Sequence, residues 1–78
     1  MSTLTVRFVG PVRRPGPERS RIVDTAGLAT VADVLRHLQY SEADMTSLTV
    51  LLDGVRSDLE TSIADIAVMD ILLMVGGG

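Results

Sequence analysis

One stretch of the sequence, Thr30 to Leu38, sets the main limit on the fold, because it carries the chain's one long apolar stripe at helical spacing. Val31, Val34, Leu35 and Leu38 fall at i, i+3, i+4 and i+7. Thr30 supplies an N-cap hydroxyl and Asp33 stands three residues on, a capping-box variant that also suits the helix dipole. Ser41, Glu42, Ala43 and Asp44 form a second capping-type sequence, which predicts a single turn. One main helix can cover one face of one sheet. With 78 residues the chain is a single domain, and a domain of that size buries only about 60% of its unfolded surface. A deep, water-free catalytic cavity is hard to enclose on that scale, which argues against an enzyme acting alone.

The rest of the apolar pattern is that of strands. From Thr3 to Val9, Leu4, Val6 and Phe8 lie on one face and Thr3, Thr5 and Arg7 on the other, the period-two pattern of a half-buried strand. Three prolines and two glycines between Gly10 and Pro17 interrupt pairing and predict a long hairpin loop. Arg19 to Asp24 reads as a second strand centred on Ile22 and Val23, and Leu48 to Leu52 as a third. Asp53-Gly54 signals a tight turn into a short fourth segment near Val55. Residues 57–65 read as polar and irregular. In the last strand, Ala67 to Val75, Met69, Ile71, Leu73 and Val75 share one face and Val68, Asp70, Leu72 and Met74 the other, with Asp70 marking the outer one. The order strand, strand, helix, strand, short strand, strand fits an α+β class of ubiquitin-like β-grasp type: a mixed four- to five-stranded sheet with one main helix packed on one face. The face without a helix has to keep some apolar side chains in water or against a partner. Leu51, Leu72 and Met74 are expected there.

Composition narrows the chemistry. There is no cysteine and a single histidine, His37, so a disulfide framework, a thiolate metal site and a thiol nucleophile are excluded, and no metal site is expected. His37 falls on the polar face of the helix with Asp33 and Arg36, where it reads as a solvated surface residue. The longest apolar run, Ile71 to Val75, is far shorter than the roughly 18 residues of a membrane span. The N-terminus has no basic stretch followed by an apolar core. The expectation is a cytoplasmic chain without membrane contact. Charge is uneven: the first 21 residues hold five arginines against Glu18, and the remainder two arginines against nine carboxylates. No aromatics interleave the arginines, so nucleic acid is not expected; Arg13 and Arg14 read as a solvated loop or as steering for an acidic partner. All seven basic residues are arginine, which leaves no side-chain amine in the chain.

The domain is expected to span residues 1–75, with Gly76, Gly77 and Gly78 as a flexible tail that contributes nothing to the core. A narrow, flexible peptide ending in a carboxylate is what can thread into another protein's active site. Four segments, VRFVGPVRR (6–14), ATVADVLRHL (29–38), LLDG (51–54) and DILLMVGGG (70–78), together resemble the ThiS/MoaD family of ubiquitin-like sulfur carriers over the whole chain. The hairpin loop and first strand look more like MoaD than ThiS, and the final strand also resembles the small archaeal modifier proteins. MoaD-like chains usually end Pro-Pro-Val-Ala-Gly-Gly, whereas this sequence has Leu73-Met74-Val75-Gly76-Gly77-Gly78, without the stiffening prolines.

The resemblance implies that Gly78 is the reacting residue and Gly77 the one that lets it enter. An adenylating enzyme of the ubiquitin-activating type would use Mg-ATP on the Gly78 carboxylate, and a sulfur donor, with a sulfurtransferase as a further partner, would then displace AMP to leave a thiocarboxylate. No cofactor would be bound by the chain itself. The acceptor would be a synthase subunit, either the molybdopterin synthase large subunit or thiazole synthase. Leu51, Leu72 and Met74, with Arg7 at the edge of the patch and Gly76 beyond it, would form the partner-binding surface. Two other readings stay open: a protein modifier joined to lysines of other proteins or used in tRNA thiolation, and a β-grasp binding module whose glycines are incidental.

Overall fold

The computed structural model describes residues 2–10 and 16–73. Seven elements follow in order: β1 (Thr3–Val9), β2 (Ser20–Asp24), α1 (Val31–His37), α2 (Glu42–Thr46), β3 (Leu48–Leu52), β4 (Val55–Ser57) and β5 (Val68–Leu73). The five strands form one mixed sheet in the order β2-β1-β5-β3-β4. β1 and β5 are parallel, with Arg7 opposite Asp70 and Val9 opposite Leu72. All other pairings are antiparallel. This is the β-grasp arrangement expected from the sequence. Met74, Val75, Gly76, Gly77 and Gly78, and the loop arginines Arg13 and Arg14, lie outside the described residues.

Because β2 and β3 stand on opposite sides of the central β1–β5 pair, the chain between them has to cross that pair, and α1 is the crossing. Its apolar stripe, Val31, Val34, Leu35 and Leu38, is buried against Leu4, Val6 and Phe8 of β1, Met69 and Ile71 of β5, and Val50 and Leu52 of β3. The capping box forms: the Thr30 hydroxyl accepts from Asp33 N–H, and Asp33 Oδ2 accepts from Thr30 N–H at 3.1 Å and Ala29 N–H at 2.9 Å. α2 is a single turn with its own capping box from Ser41 to Asp44, and it delivers Met45 to the core.

Residues 57–65, expected to be irregular and no more, do structural work. Ala32 N–H donates to Leu59 O at 2.9 Å and Val31 N–H to Thr61 O at 3.0 Å. Two amide groups that a helix start leaves without partners are therefore satisfied by this segment. Ile63, in turn, is buried in the core and its N–H donates to Ala29 O.

The tight turn after β3 also does more than reverse the chain. Asp53 and Gly54 both have positive φ, 48° and 85°, the pairing that a two-residue hairpin of the primed type requires. The Asp53 carboxylate accepts from Val68 N–H at 2.9 Å and from Ala67 N–H, and its own N–H donates to Val68 O. The turn thus fixes where β5 begins.

Backbone hydrogen bonds from Ala29 and Thr30 hold the Asp33 carboxyl below its ordinary value of 3.8. A carboxylate lowered in this way adds stability that is complete above the unfolded value and is lost as pH falls through the folded one. Thr30→Ala should cost about 1 kcal/mol in urea unfolding at neutral pH. Asp33→Asn should lower the melting temperature at neutral pH and flatten the further loss on acidification below about pH 4, read from thermal melts of both proteins across that range.

Candidate functional site

The face of the sheet that α1 does not cover is built by alternation. In β1 the buried Leu4, Val6 and Phe8 send Thr5, Arg7 and Val9 to the other side, and in β5 the buried Met69 and Ile71 do the same for Val68, Asp70 and Leu72. Strand register then fixes who sits beside whom. Asp70 lies opposite Arg7 on β1 and opposite Leu51 on β3, and Leu51 lies opposite Arg56 on β4. One step along the strands, Leu72 is flanked by Val9 and Thr49.

Arg7 and Asp70 form a two-pronged ion pair across the parallel strands. Arg7 Nε–H donates to Asp70 Oδ1 at 2.6 Å and Nη2–H to Oδ2 at 2.9 Å. Both carboxylate oxygens are engaged in the side-on geometry that makes arginine–carboxylate pairs specific. Asp70 is only 7% exposed, whereas the Arg7 side chain is 57% exposed. The hydrogen bond and charge of Asp70 raise the Arg7 pKa above its already high ordinary value. The arginine therefore stays charged, and the buried carboxylate keeps its counter-charge.

Around this pair lies an open concavity of ≈ 670 Å³, lined by Val9, Gly10, Arg19, Leu51 and Leu72 together with Arg7 and Asp70. Three of the residues expected at a partner surface, Leu51, Leu72 and Arg7, are brought together here. Met74 and Gly76 lie outside the described residues, as do the expected reacting residues Gly77 and Gly78.

Two features differ from the sequence expectation. Arg7, expected at the edge of an apolar patch, sits on one of the two central strands and is paired with Asp70, a partner the sequence reading does not name. Leu51 and Leu72 are half-buried, and among the described residues the strongly exposed apolar side chains are Ile22 at 72%, Val55 at 65% and Val9 at 42%. Ile22 is exposed because it falls on the uncovered face of an edge strand, opposite Thr5, while its neighbour Val23 faces the core. Asp70 was open to a fuller reading. A lone carboxylate between apolar residues in a buried strand calls for a cation, and Arg7 is the arginine on the outer face of the first strand.

A second concavity, ≈ 430 Å³, lies at the other end of β1 between Ser2, Thr25, Ala29, Ser62 and Asp65. Its lining residues include the hydroxyl-bearing Ser2, Thr25 and Ser62 and the carboxylate-bearing Asp65; the Thr25 hydroxyl donates to Ser2 O and the Ser62 hydroxyl accepts from Ala64 N–H, both at 3.1 Å. Among the described residues no group of three or more histidines, cysteines or carboxylates gathers as a metal site, and no helix is long and apolar enough to cross a membrane. His37 is exposed on α1.

No protein-family model and no curated protein matches the sequence. Solved structures do match in fold. SAMP1 from Haloferax volcanii superposes with a TM-score of 0.73 at 20% identity, covering 99% of this chain and 100% of that one. A chain of the complex of subunits 1 and 2 of molybdopterin-converting factor from Helicobacter pylori superposes with a TM-score of 0.66 at 23% identity, with coverage of 99% and 100%. The likeness is one of fold, and it extends from end to end of each domain: the chain has the ubiquitin-like β-grasp fold.

A double-mutant cycle tests the central pair. Arg7→Ala and Asp70→Ala should each lower stability, and the double variant should lose less than the sum of the two, since each single change breaks the same pair. Urea unfolding at low and high salt measures both, and the coupling should shrink only modestly with salt because the carboxylate is buried.

Proposed function

We propose that the chain is a sulfur carrier: its Gly78 carboxylate is adenylated by an ATP-dependent activating enzyme and converted to a thiocarboxylate, which gives up its sulfur to a biosynthetic enzyme. The observation that carries this reading is positional. β5 is a central strand of a ubiquitin-like fold whose solved neighbours match over their whole length, and in the sequence that strand leads through Met74 and Val75 into Gly76-Gly77-Gly78. A rigid domain next to side-chain-free residues suits a handle by which one enzyme after another can hold the chain.

The carboxylate is a poor acyl donor until an oxygen becomes a leaving group. Attack of a carboxylate oxygen on the α-phosphorus of ATP releases pyrophosphate and makes the acyl-adenylate. Sulfide-level sulfur, as HS−, then attacks the carbonyl carbon, AMP departs, and loss of the sulfur-bound proton leaves the thiocarboxylate. Mg-ATP and the stabilisation of developing charge come from the activating partner; the chain is the substrate of these steps. The absence of lysine suits such a terminus, since a side-chain amine of the chain itself would consume the activated acyl group.

The complex of subunits 1 and 2 among the fold neighbours favours an acceptor that is the large subunit of a molybdopterin-type synthase, with a thiazole synthase as the other acceptor of this chemistry. The likeness to SAMP1 supports a second reading in which the same activated terminus is passed to lysines of other proteins. The two share activation and differ in acceptor.

The experiment is intact-protein mass spectrometry after incubation with the cognate activating enzyme, Mg-ATP and a sulfur source, beside a variant lacking Gly78. The expected result is a mass gain equal to exchange of one oxygen for sulfur in the full chain and none in the variant. Covalent conjugates of raised mass in cell extract would assign the modifier reading. Neither product, with the enzyme active on another carrier, would leave a passive binding module.

A further inference from the structure

The two edges of the sheet differ in length. β4 at one end has three residues, whereas β2 at the other runs for five without a proline and pairs only with β1 among the described residues. Which main-chain groups of β2 are free follows from the ladder. Phe8 N–H donates to Arg19 O and Thr25 N–H to Ser2 O, and an antiparallel pair alternates bonded with non-bonded positions. With Val6 opposite Arg21 and Leu4 opposite Val23, the main-chain groups of Arg21 and Val23 turn to β1. Those of Ser20, Ile22 and Asp24 turn outward, and no described residue bonds them. An extended main chain laid alongside satisfies such a row group for group.

The side chains say what that chain has to carry. Ile22 stands on the outer face of the sheet between Ser20 and Asp24 and is 72% exposed. Arg21 stands on the other face, opposite the core-facing Val6, exposed and without an ion pair among the described residues. The charges along the strand do not cancel it in place. Asp24 shares the outer face with Ile22 and accepts from Ala26 N–H, and Glu18 and Arg19, just before the strand, are one charge of each sign. A carboxylate fits opposite Arg21, a non-bonded position where facing side chains lie closer, and an aliphatic side chain fits opposite Ile22.

A second copy of the chain does not supply this pattern. Antiparallel pairing of two β2 strands, which closes as a symmetric dimer, brings outward residues to outward residues, so even positions meet even ones. Arg21 then meets Arg19, Arg21, Val23 or Thr25, none of them acidic, in whatever register. β4 turns Arg56 outward, because Leu52 and Val55 close the two-residue turn, and would set Val55 or Ser57 against Arg21.

We propose that the free edge of β2 receives an extended segment of a partner protein, added antiparallel as a further strand, with a glutamate or aspartate facing Arg21 and an aliphatic residue next to it facing Ile22. The site needs no activated terminus, so it stands or falls apart from the carrier chemistry.

The test is amide hydrogen exchange and NMR titration of the full-length, isotope-labelled protein. Alone, the amides of Ser20, Ile22 and Asp24 should exchange faster than those of Arg21 and Val23. The probe is a capped peptide, Thr-Val-Glu-Val-Thr. Its controls are the same peptide with glutamine for glutamate, and the same peptide N-methylated at both valines, which removes the donors that would bond the edge. The glutamate peptide should slow exchange at Ser20, Ile22 and Asp24 and shift their signals to saturation. The glutamine peptide should bind roughly fivefold more weakly, the loss of one exposed charge pair, and Arg21→Gln should abolish that difference. The N-methylated peptide should leave the signals unmoved. Equal binding of the glutamate and glutamine peptides, equal binding of the N-methylated one, or no slowing up to the solubility limit of the glutamate peptide overturns the proposal. Slowed exchange that grows with protein concentration in the absence of peptide assigns the edge to a second copy and also overturns it.

Discussion

Everything in this molecule is arranged around the parallel pairing of its first and last strands. Residues 63 positions apart, Arg7 and Asp70, are bonded across it, and the antiparallel strands β2 and β3 attach on either side. A contact that distant in sequence costs loop-closure entropy before it returns anything. The chain offsets that cost with local structure: two capping boxes, a primed hairpin turn and an amphipathic helix whose stripe fits the sheet. The helix crosses the central pair because β2 and β3 leave it no other route, and its buried stripe then seals β1 and β5 from one side.

A single helix seals one side only. The other side of the same central pair has to be compatible with water and, under the carrier reading, with a partner. The sequence meets both needs by placing a charge pair, not an apolar pair, at its centre. Asp70 is buried without being left unpaired, while Leu51 beside it and Leu72 one row on are half-buried. The outcome is a face with apolar area and fixed charge, a composition that resists indiscriminate sticking yet offers a complementary surface something specific to hold.

Most of the fold was legible in the sequence because its signals are local. The helical stripe from Val31 to Leu38, the alternation in β1, the extent of β3 and the Asp53-Gly54 turn depend on neighbours in the chain, and all stand where the residues put them. What was not legible depends on register. That Arg7 and Asp70 share a row follows only once β1 and β5 are known to run parallel with Arg7 opposite Asp70. That Ile22 faces water and Val23 the core turns on a one-residue choice that an edge strand with a short apolar centre does not display. The segment 57–65 misled because its function is carried by main-chain carbonyls, at Leu59 and Thr61, which no side-chain pattern reports. Of the site, Arg7, Leu51 and Leu72 could be named from the sequence.

The parallel central pair has a mechanical meaning as well. Parallel strands point the same way, so the start of β1 and the end of β5 lie at opposite ends of the sheet. A pull applied between Ser2 and Leu73 would slide β5 along β1 and along β3 at once, loading both ladders in shear. Antiparallel neighbours pulled from one end would open a bond at a time. Traction applied along β5 is thus met where the sheet resists it best, by two ladders loaded together.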